Sequence, residues 1–201
     1  MKPYYQDKWV TIYHGDCREV LPQLDVKVDL VLTSPPYDDM REYGGYQWDF
    51  PETAELLYIS VAEGGIVVWV VGDATIDGSE TGSSFKQALY FKGIGMNLHD
   101  TMIYAKDTVP INAKRYEQNF EYMFVFSKGP PKTFNPIMRD KLWEDHRKYK
   151  ASKRNRDGSF QYGYASPKKK CVIGNVWFYN VGGGHNTAFK LAHQHPAIFP
   201  E

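Results

Sequence analysis

Apolar residues fall in short runs separated by polar turns, and the spacing of those runs predicts alternating strands and helices. Val28-Asp29-Leu30-Val31-Leu32-Thr33 and Ile66-Val67-Val68-Trp69-Val70-Val71 are nearly continuous apolar runs of strand length, the pattern of central parallel strands covered on both faces. Trp9-Val10-Thr11-Ile12-Tyr13 alternates and predicts another strand, which stops at His14-Gly15-Asp16 and passes into a short helical stretch, Cys17 to Leu24. Pro51 at a first helical turn opens a helix over Glu52 to Ala62, closed by Gly64-Gly65. Asp77 to Gly82 reads as a mobile loop, Ser83 and Ser84 as the cap of a helix through Phe91, and Leu98 to Ala105 and Phe120 to Ser127 as further strands. This order predicts an α/β domain with a largely parallel sheet and a late antiparallel addition. Ligands of such sheets sit beyond the carboxyl ends of the strands. Three strand ends carry polar turns that could line one crevice: His14-Gly15-Asp16, Ser34-Pro35-Pro36-Tyr37 and Gly72-Asp73.

From about Asn135 the apolar periodicity fades while charge, Tyr and Gly rise through Gly184. The 201-residue chain has no formal net charge, yet Arg139 to Lys170 holds 11 Lys and Arg against 4 Asp and Glu, leaving 13 basic and 20 acidic side chains elsewhere. A neutral chain with one basic segment suggests a local contact with a polyanion. Trp143, Tyr149, Phe160, Tyr162 and Tyr164 interleave with the basic residues, as phosphate neutralisation combined with groove contacts requires. A short strand within Cys171 to Tyr179 is expected to tie this region back to the sheet. The chain has 42% hydrophobic residues, enough for a sizeable core, and no run approaching a membrane span or a signal peptide. A cytoplasmic protein without a membrane partner is the expectation. Cys17 and Cys171 read as free thiols, and His185, His193 and His195 with Cys171 fit no zinc spacing, so no metal is expected.

Candidate chemistry centres on Ser34-Pro35-Pro36-Tyr37. Two consecutive prolines fix φ and remove two backbone donors, which presents the local carbonyls without competing N–H groups. Beside the Ser34 hydroxyl, the Pro35 carbonyl can accept from a substrate NH2 group, and Tyr37 offers a ring on which a base can stack. An ordinary Pro-Pro turn would leave the same residues in place. Asp16 and Asp73, at neighbouring strand ends, could serve a ligand or equally cap the following turn or helix.

Leu32-Thr33-Ser34-Pro35-Pro36-Tyr37, preceded by His14-Gly15-Asp16, resembles the catalytic motif of the bacterial DNA amino-methyltransferases. Trp69 to Thr75, Asp77 to Gly82, Phe120 to Gly129 with Lys132-Thr133-Phe134-Asn135, and His195 to Glu201 match further blocks of the group in which the catalytic motif precedes the cofactor motif. The resemblance implies a Rossmann-like α/β methyltransferase sheet. It also implies S-adenosylmethionine as methyl donor, duplex DNA as partner and a place in restriction-modification. On the family pattern Ser34, Pro35, Pro36, Tyr37 and Asp73 are catalytic, and Asp16, Thr33, His195 and Pro196 face the cofactor. By family position Arg139, Lys141, Arg147, Lys148, Lys153, Arg154, Arg156, Lys168, Lys169 and Lys170 belong to the target-recognition region and contact DNA. Ser in the first motif position resembles the cytosine-N4 branch, with adenine-N6 as the alternative; an RNA or small-molecule amine methyltransferase is the competing class.

The family pattern implies three segments: a catalytic part over 1–135, a target-recognition region over 136–184 and the start of a cofactor-side motif over 185–201. In this group that motif continues into a helix and a strand ending in a Gly-x-Gly turn, whereas the sequence ends at Glu201. The expected sheet is therefore incomplete on its C-terminal side, with apolar surface bare along the strand bearing Ser34. A complementing polypeptide or a second copy of the chain would answer that surface. A DNA-binding half that is inactive alone is the corresponding alternative.

Overall fold

The computed structural model describes residues 1–37, 48–106, 114–141, 148–165 and 168–179. In chain order the elements are β1 (Tyr5–Gln6), β2 (Thr11–Ile12), α1 (Cys17–Val20), β3 (Val28–Thr33), α2 (Phe50–Ser60), β4 (Val61–Val71), β5 (Thr75–Ile76), β6 (Ser79–Glu80), α3 (Ser83–Gly93), β7 (Asn97–Lys106), β8 (Phe120–Ser127), β9 (Met138–Asp140), β10 (Tyr149–Arg154), β11 (Phe160–Ala165), β12 (Lys170–Val172) and β13 (Val176–Tyr179). The described residues form two compact units, one within 1–133 together with 175–179, the other within Phe134–Gly174.

The first unit is built on a five-stranded sheet of order β13-β7-β8-β4-β3. β3 runs parallel to β4 and β13 parallel to β7, while β8 lies antiparallel between β4 and β7. Four strands thus share one direction and β8 opposes them, in agreement with the mostly parallel sheet and late antiparallel strand that the sequence predicts. Val67, Trp69 and Val71 alternate along β4 and are buried with Ala54 and Leu57 of α2 and Phe91 of α3. The period-2 alternation of the strand sends these three side chains to one face. Trp48 stacks on Trp69 at 6.0 Å, Phe91 meets Trp69 edge-on at 5.1 Å, and the Trp69 Nε1–H donates to Gln87 Oε1 at 2.8 Å, which satisfies the polar atom of a buried indole. Leu30 and Leu32, at the other phase of edge strand β3, are 57% and 67% exposed. No described helix is long and apolar enough to cross a membrane.

Several boundaries differ from expectation for local reasons. The predicted strand Trp9–Tyr13 is reduced to two residues, Thr11–Ile12, in an exposed hairpin with β1, because Asp7 Oδ1 accepts from the Trp9 and Val10 N–H groups at 2.7 Å and shapes a turn there. Helix α2 begins one residue before Pro51, where Asp49 accepts from the Glu52 N–H at 2.9 Å, and it ends at Ser60. Gly64-Gly65 does not close that helix. β4 has already begun at Val61, and the glycines lie in a bulge where Val28 pairs with Val61 but Leu30 with Ile66. A Cβ at Gly65 would lie 2.8 Å from Val61 Cγ1 and 2.9 Å from the Ala62 carbonyl oxygen, so glycine is needed for this close approach. The loop expected over Asp77–Gly82 contains a hairpin, β5 with β6, turned by Asp77 at φ 49° and Gly78 at φ 80°. Arg115 donates to the Gly78 carbonyl and pairs with Glu80 at 3.5 Å. The single strand expected within Cys171–Tyr179 is two: β12 pairs with β9, and β13 joins the five-stranded sheet.

The second unit consists of two antiparallel ribbons, β9 with β12 and β10 with β11. Its described residues include little buried apolar surface; Phe134, Phe160, Tyr162 and Tyr164 are all exposed.

Candidate active site and basic ribbon

Strand β3 delivers Ser34 and Pro35 to its carboxyl end beside β4, with Pro35 buried and Ser34, Pro36 and Tyr37 half-buried. Ser34 Oγ and Tyr37 Oη are 2.7 Å apart, and Tyr37 Oη donates to Glu121 Oε2 at 2.7 Å. Glu121, near the start of β8, is in turn paired through Oε1 with Lys106 Nζ at 2.7 Å. Gly72, just past β4, lies beneath this group: a Cβ there would stand 3.5 Å from the Tyr37 ring and 3.8 Å from Glu121 Cγ. Three strand ends and the beginning of the antiparallel strand therefore converge on one corner, which carries a hydroxyl, a proline carbonyl, a phenol, a carboxylate and an ammonium group. Such a corner can hold and orient an amine through acceptors while a charge network fixes the acceptors themselves.

Asp73 is only 6% exposed, and its carboxylate is committed within the fold. Oδ1 accepts from the Ser84 N–H at 2.8 Å and the Ser83 hydroxyl at 3.0 Å, and Oδ2 from the Ser84 hydroxyl at 2.5 Å. It thus holds the start of α3 and the strand end together. Asp16 caps α1 through the Arg18 N–H at 2.9 Å and binds the Arg18 guanidinium at 2.7 Å. For both residues the contacts are those of the capping alternative. Burial raises the Tyr122 phenol above its ordinary pKa, and the Asp73 and Glu80 carboxylates add to the effect.

A family model described as DNA methylase, covering N6 and N4 methyltransferases, matches residues 28–201. The chain belongs to this family. The orphan methyltransferase M.BamHII of Bacillus amyloliquefaciens is 53% identical over 182 residues, 88% of the chain and 69% of that relative. The type II methyltransferase M.BglII of Bacillus subtilis is 27% identical over 202 aligned positions, 94% of the chain and 53% of its own length. Among solved structures, the cytosine-N4-specific PvuII DNA methyltransferase has the same fold, with a TM-score of 0.67 and 19% identity over 99% of this chain and 69% of that one. The matched family region of this DNA methylase begins at β3, so it includes the whole Ser34 corner.

Of the positions expected to face the cofactor, Thr33 is half-buried on β3 next to Ser34, Asp16 is occupied as a cap, and His195 and Pro196 lie outside the described residues. Of these four positions, Thr33 is the one that lies beside the Ser34 corner among the described residues. In the second unit Arg139, Lys141, Lys148, Lys153, Arg154, Arg156, Lys168, Lys169 and Lys170 are all exposed, and among the described residues none of them is in an ion pair; Arg147 falls outside. The β10–β11 register puts Lys150, Ser152 and Arg154 opposite Tyr164, Tyr162 and Phe160, so these six share one face. Lys150 Nζ stands 5.0 Å from the Tyr162 ring centre, and Phe160 stacks on Tyr162 at 6.2 Å. Glu121 and Lys106 were missed in the sequence. Their signal is faint: one acid in the apolar run Phe120-Glu121-Tyr122-Met123-Phe124, and a lysine at the end of another strand.

Proposed function

We propose that the protein transfers a methyl group from S-adenosylmethionine to the exocyclic N4 amine of cytosine in duplex DNA, within a restriction-modification context. The observation that carries this reading is the corner of Ser34 and Pro35 at the end of β3. Pro36 contributes no N–H, so the Pro35 carbonyl stays available to a substrate, and the Ser34 hydroxyl is braced by Tyr37 at 2.7 Å. The N4 assignment rests on serine in the first motif position. When bound, S-adenosylmethionine supplies the methyl group on a sulfonium that serves as electrophile. The protein's own task is to place the amine. Ser34 Oγ and the Pro35 carbonyl accept its two N–H bonds, which favours charge building on nitrogen, and the Tyr37 ring packs against the base. The target nucleotide must leave the helix to reach this corner, at a cost of a few kcal/mol recovered by stacking and edge contacts. The exposed Lys and Arg residues of the second unit neutralise phosphates, and the aromatic residues of the β10–β11 face contact bases or sugars.

A second reading is favoured by one observation, the 57% and 67% exposure of Leu30 and Leu32 beside the catalytic corner. On it, the chain binds DNA and holds the acceptor half of the reaction, and a separate polypeptide supplying the cofactor-side half covers this apolar face. Transfer of tritiated methyl to duplex DNA, measured with the chain alone and with the C-terminal part of its 53%-identical relative added, separates the two. In whichever form transfers, Ser34→Ala should lower the rate by about 100-fold with salt-sensitive DNA binding intact. Unchanged turnover would remove Ser34 from the mechanism.

A further inference from the structure

Tyr37 has one hydroxyl proton, and its destination sets the polarity of the whole corner. That proton is donated to Glu121 Oε2 at 2.7 Å, while Lys106 Nζ donates to Glu121 Oε1 at 2.7 Å. A carboxylate accepts hydrogen bonds and has none to give. The 2.7 Å contact between Ser34 Oγ and Tyr37 Oη must then run from serine to tyrosine, because the tyrosine proton is already committed. With its own proton turned inward, Ser34 offers only lone pairs to a substrate. Pro35, beside it, likewise offers a carbonyl.

From this chain of bonds we infer that Glu121 and Lys106 are positioning residues, which lock Ser34 as an acceptor and give the proton shed by the methylated amine a route away from the base. The inference rests on the amine methylation proposed above. After the nitrogen has taken the methyl group it carries one proton too many. That proton moves to Ser34 Oγ as the serine proton moves to Tyr37 Oη and the tyrosine proton to Glu121 Oε2. Both hydroxyls end as they began, the amine is neutral, and the carboxylate has become a carboxylic acid beside the Lys106 ammonium. The same polarity is a specificity device. A base with a carbonyl where cytosine has its amine, such as uracil, would set acceptor against acceptor and be rejected.

Two measurements test this independently. With 13Cζ-labelled tyrosine in the chain as it stands, the signal absent from Tyr37→Phe belongs to Tyr37. It should move in Glu121→Gln and in Lys106→Met, with circular dichroism unchanged. A Tyr37 signal that ignores both substitutions would overturn the chain of bonds, whether or not any methyl is transferred. In the transferring form, Glu121→Gln should slow single-turnover methylation about 100-fold without altering DNA affinity. The loss should shrink as pH rises and solvent base replaces the relay, and Glu121→Asp should recover part of the rate. Binding of duplex DNA with uracil at the methylated position, weaker than that of the cytosine duplex in the wild type, should approach it in Glu121→Gln, since a glutamine amide can donate to Tyr37 Oη and reverse the chain. A wild-type rate and pH profile in Glu121→Gln would overturn the relay, whereas absence of transfer by the wild type counts against the proposed function alone.

Discussion

Asp73 shows how one carboxylate can stand at a ligand crevice and yet be spent on the fold. Four donors, the Ser84 N–H and the Thr81, Ser83 and Ser84 hydroxyls, converge on its two oxygens, and it is buried. Asp73→Ala should therefore lower stability by about 2–3 kcal/mol, since it removes a charged acceptor and leaves buried donors unpaired. Denaturant unfolding checks this as a lower midpoint, and an unchanged midpoint would contradict the capping role. The sequence showed Asp73 at a strand end and could not tell a ligand contact from a structural one, because its partners Ser83 and Ser84 lie beyond the β5–β6 hairpin at the start of α3. Ser34 and Pro35 stood out only through the resemblance of Leu32 to Tyr37 to a catalytic motif, since an ordinary Pro-Pro turn would leave the same residues in place. Glu121 and Lys106 did not, because their roles exist only once β8 is laid antiparallel between β4 and β7.

At the scale of elements, β4 was readable because a buried strand is nearly continuous in apolar residues, whereas β3 carries the same kind of run yet lies at the sheet edge with Leu30 and Leu32 exposed. The Gly64-Gly65 pair misled because glycine is favoured both at a helix end and in a bulge, and only the pairing of Val28 with Val61 and Leu30 with Ile66 distinguishes them. The β10–β11 ribbon could not be read as a ribbon, since its strands carry charge and aromatics in place of a core pattern. Its register nonetheless assigns Lys150, Arg154, Phe160, Tyr162 and Tyr164 to one face. If that face meets DNA, Lys150→Ala with Arg154→Ala should weaken binding across sequences and reduce the slope of log affinity against log salt by about two. Fluorescence anisotropy over a salt series measures it, and an unaltered slope would place the contact elsewhere.

For the whole molecule, a methyltransferase sheet and a separate basic unit are both present, and the chain spans 69% of one relative and 53% of another. The four same-direction strands with β8 opposed set the Ser34 corner at the carboxyl ends of β3 and β4, where the fold class puts its ligands. The uncovered leucines of β3 follow from that order, because β3 is an edge strand whose second face carries no described helix. The central claim is that this corner presents acceptors to an exocyclic amine of a DNA base. Duplex DNA incubated with S-adenosylmethionine and the transferring form of the protein, then digested to nucleosides and analysed by mass spectrometry, tests it most directly. The account predicts N4-methylcytosine, formed about 100-fold more slowly with Ser34→Ala; methyl groups found only on ring carbon would contradict it.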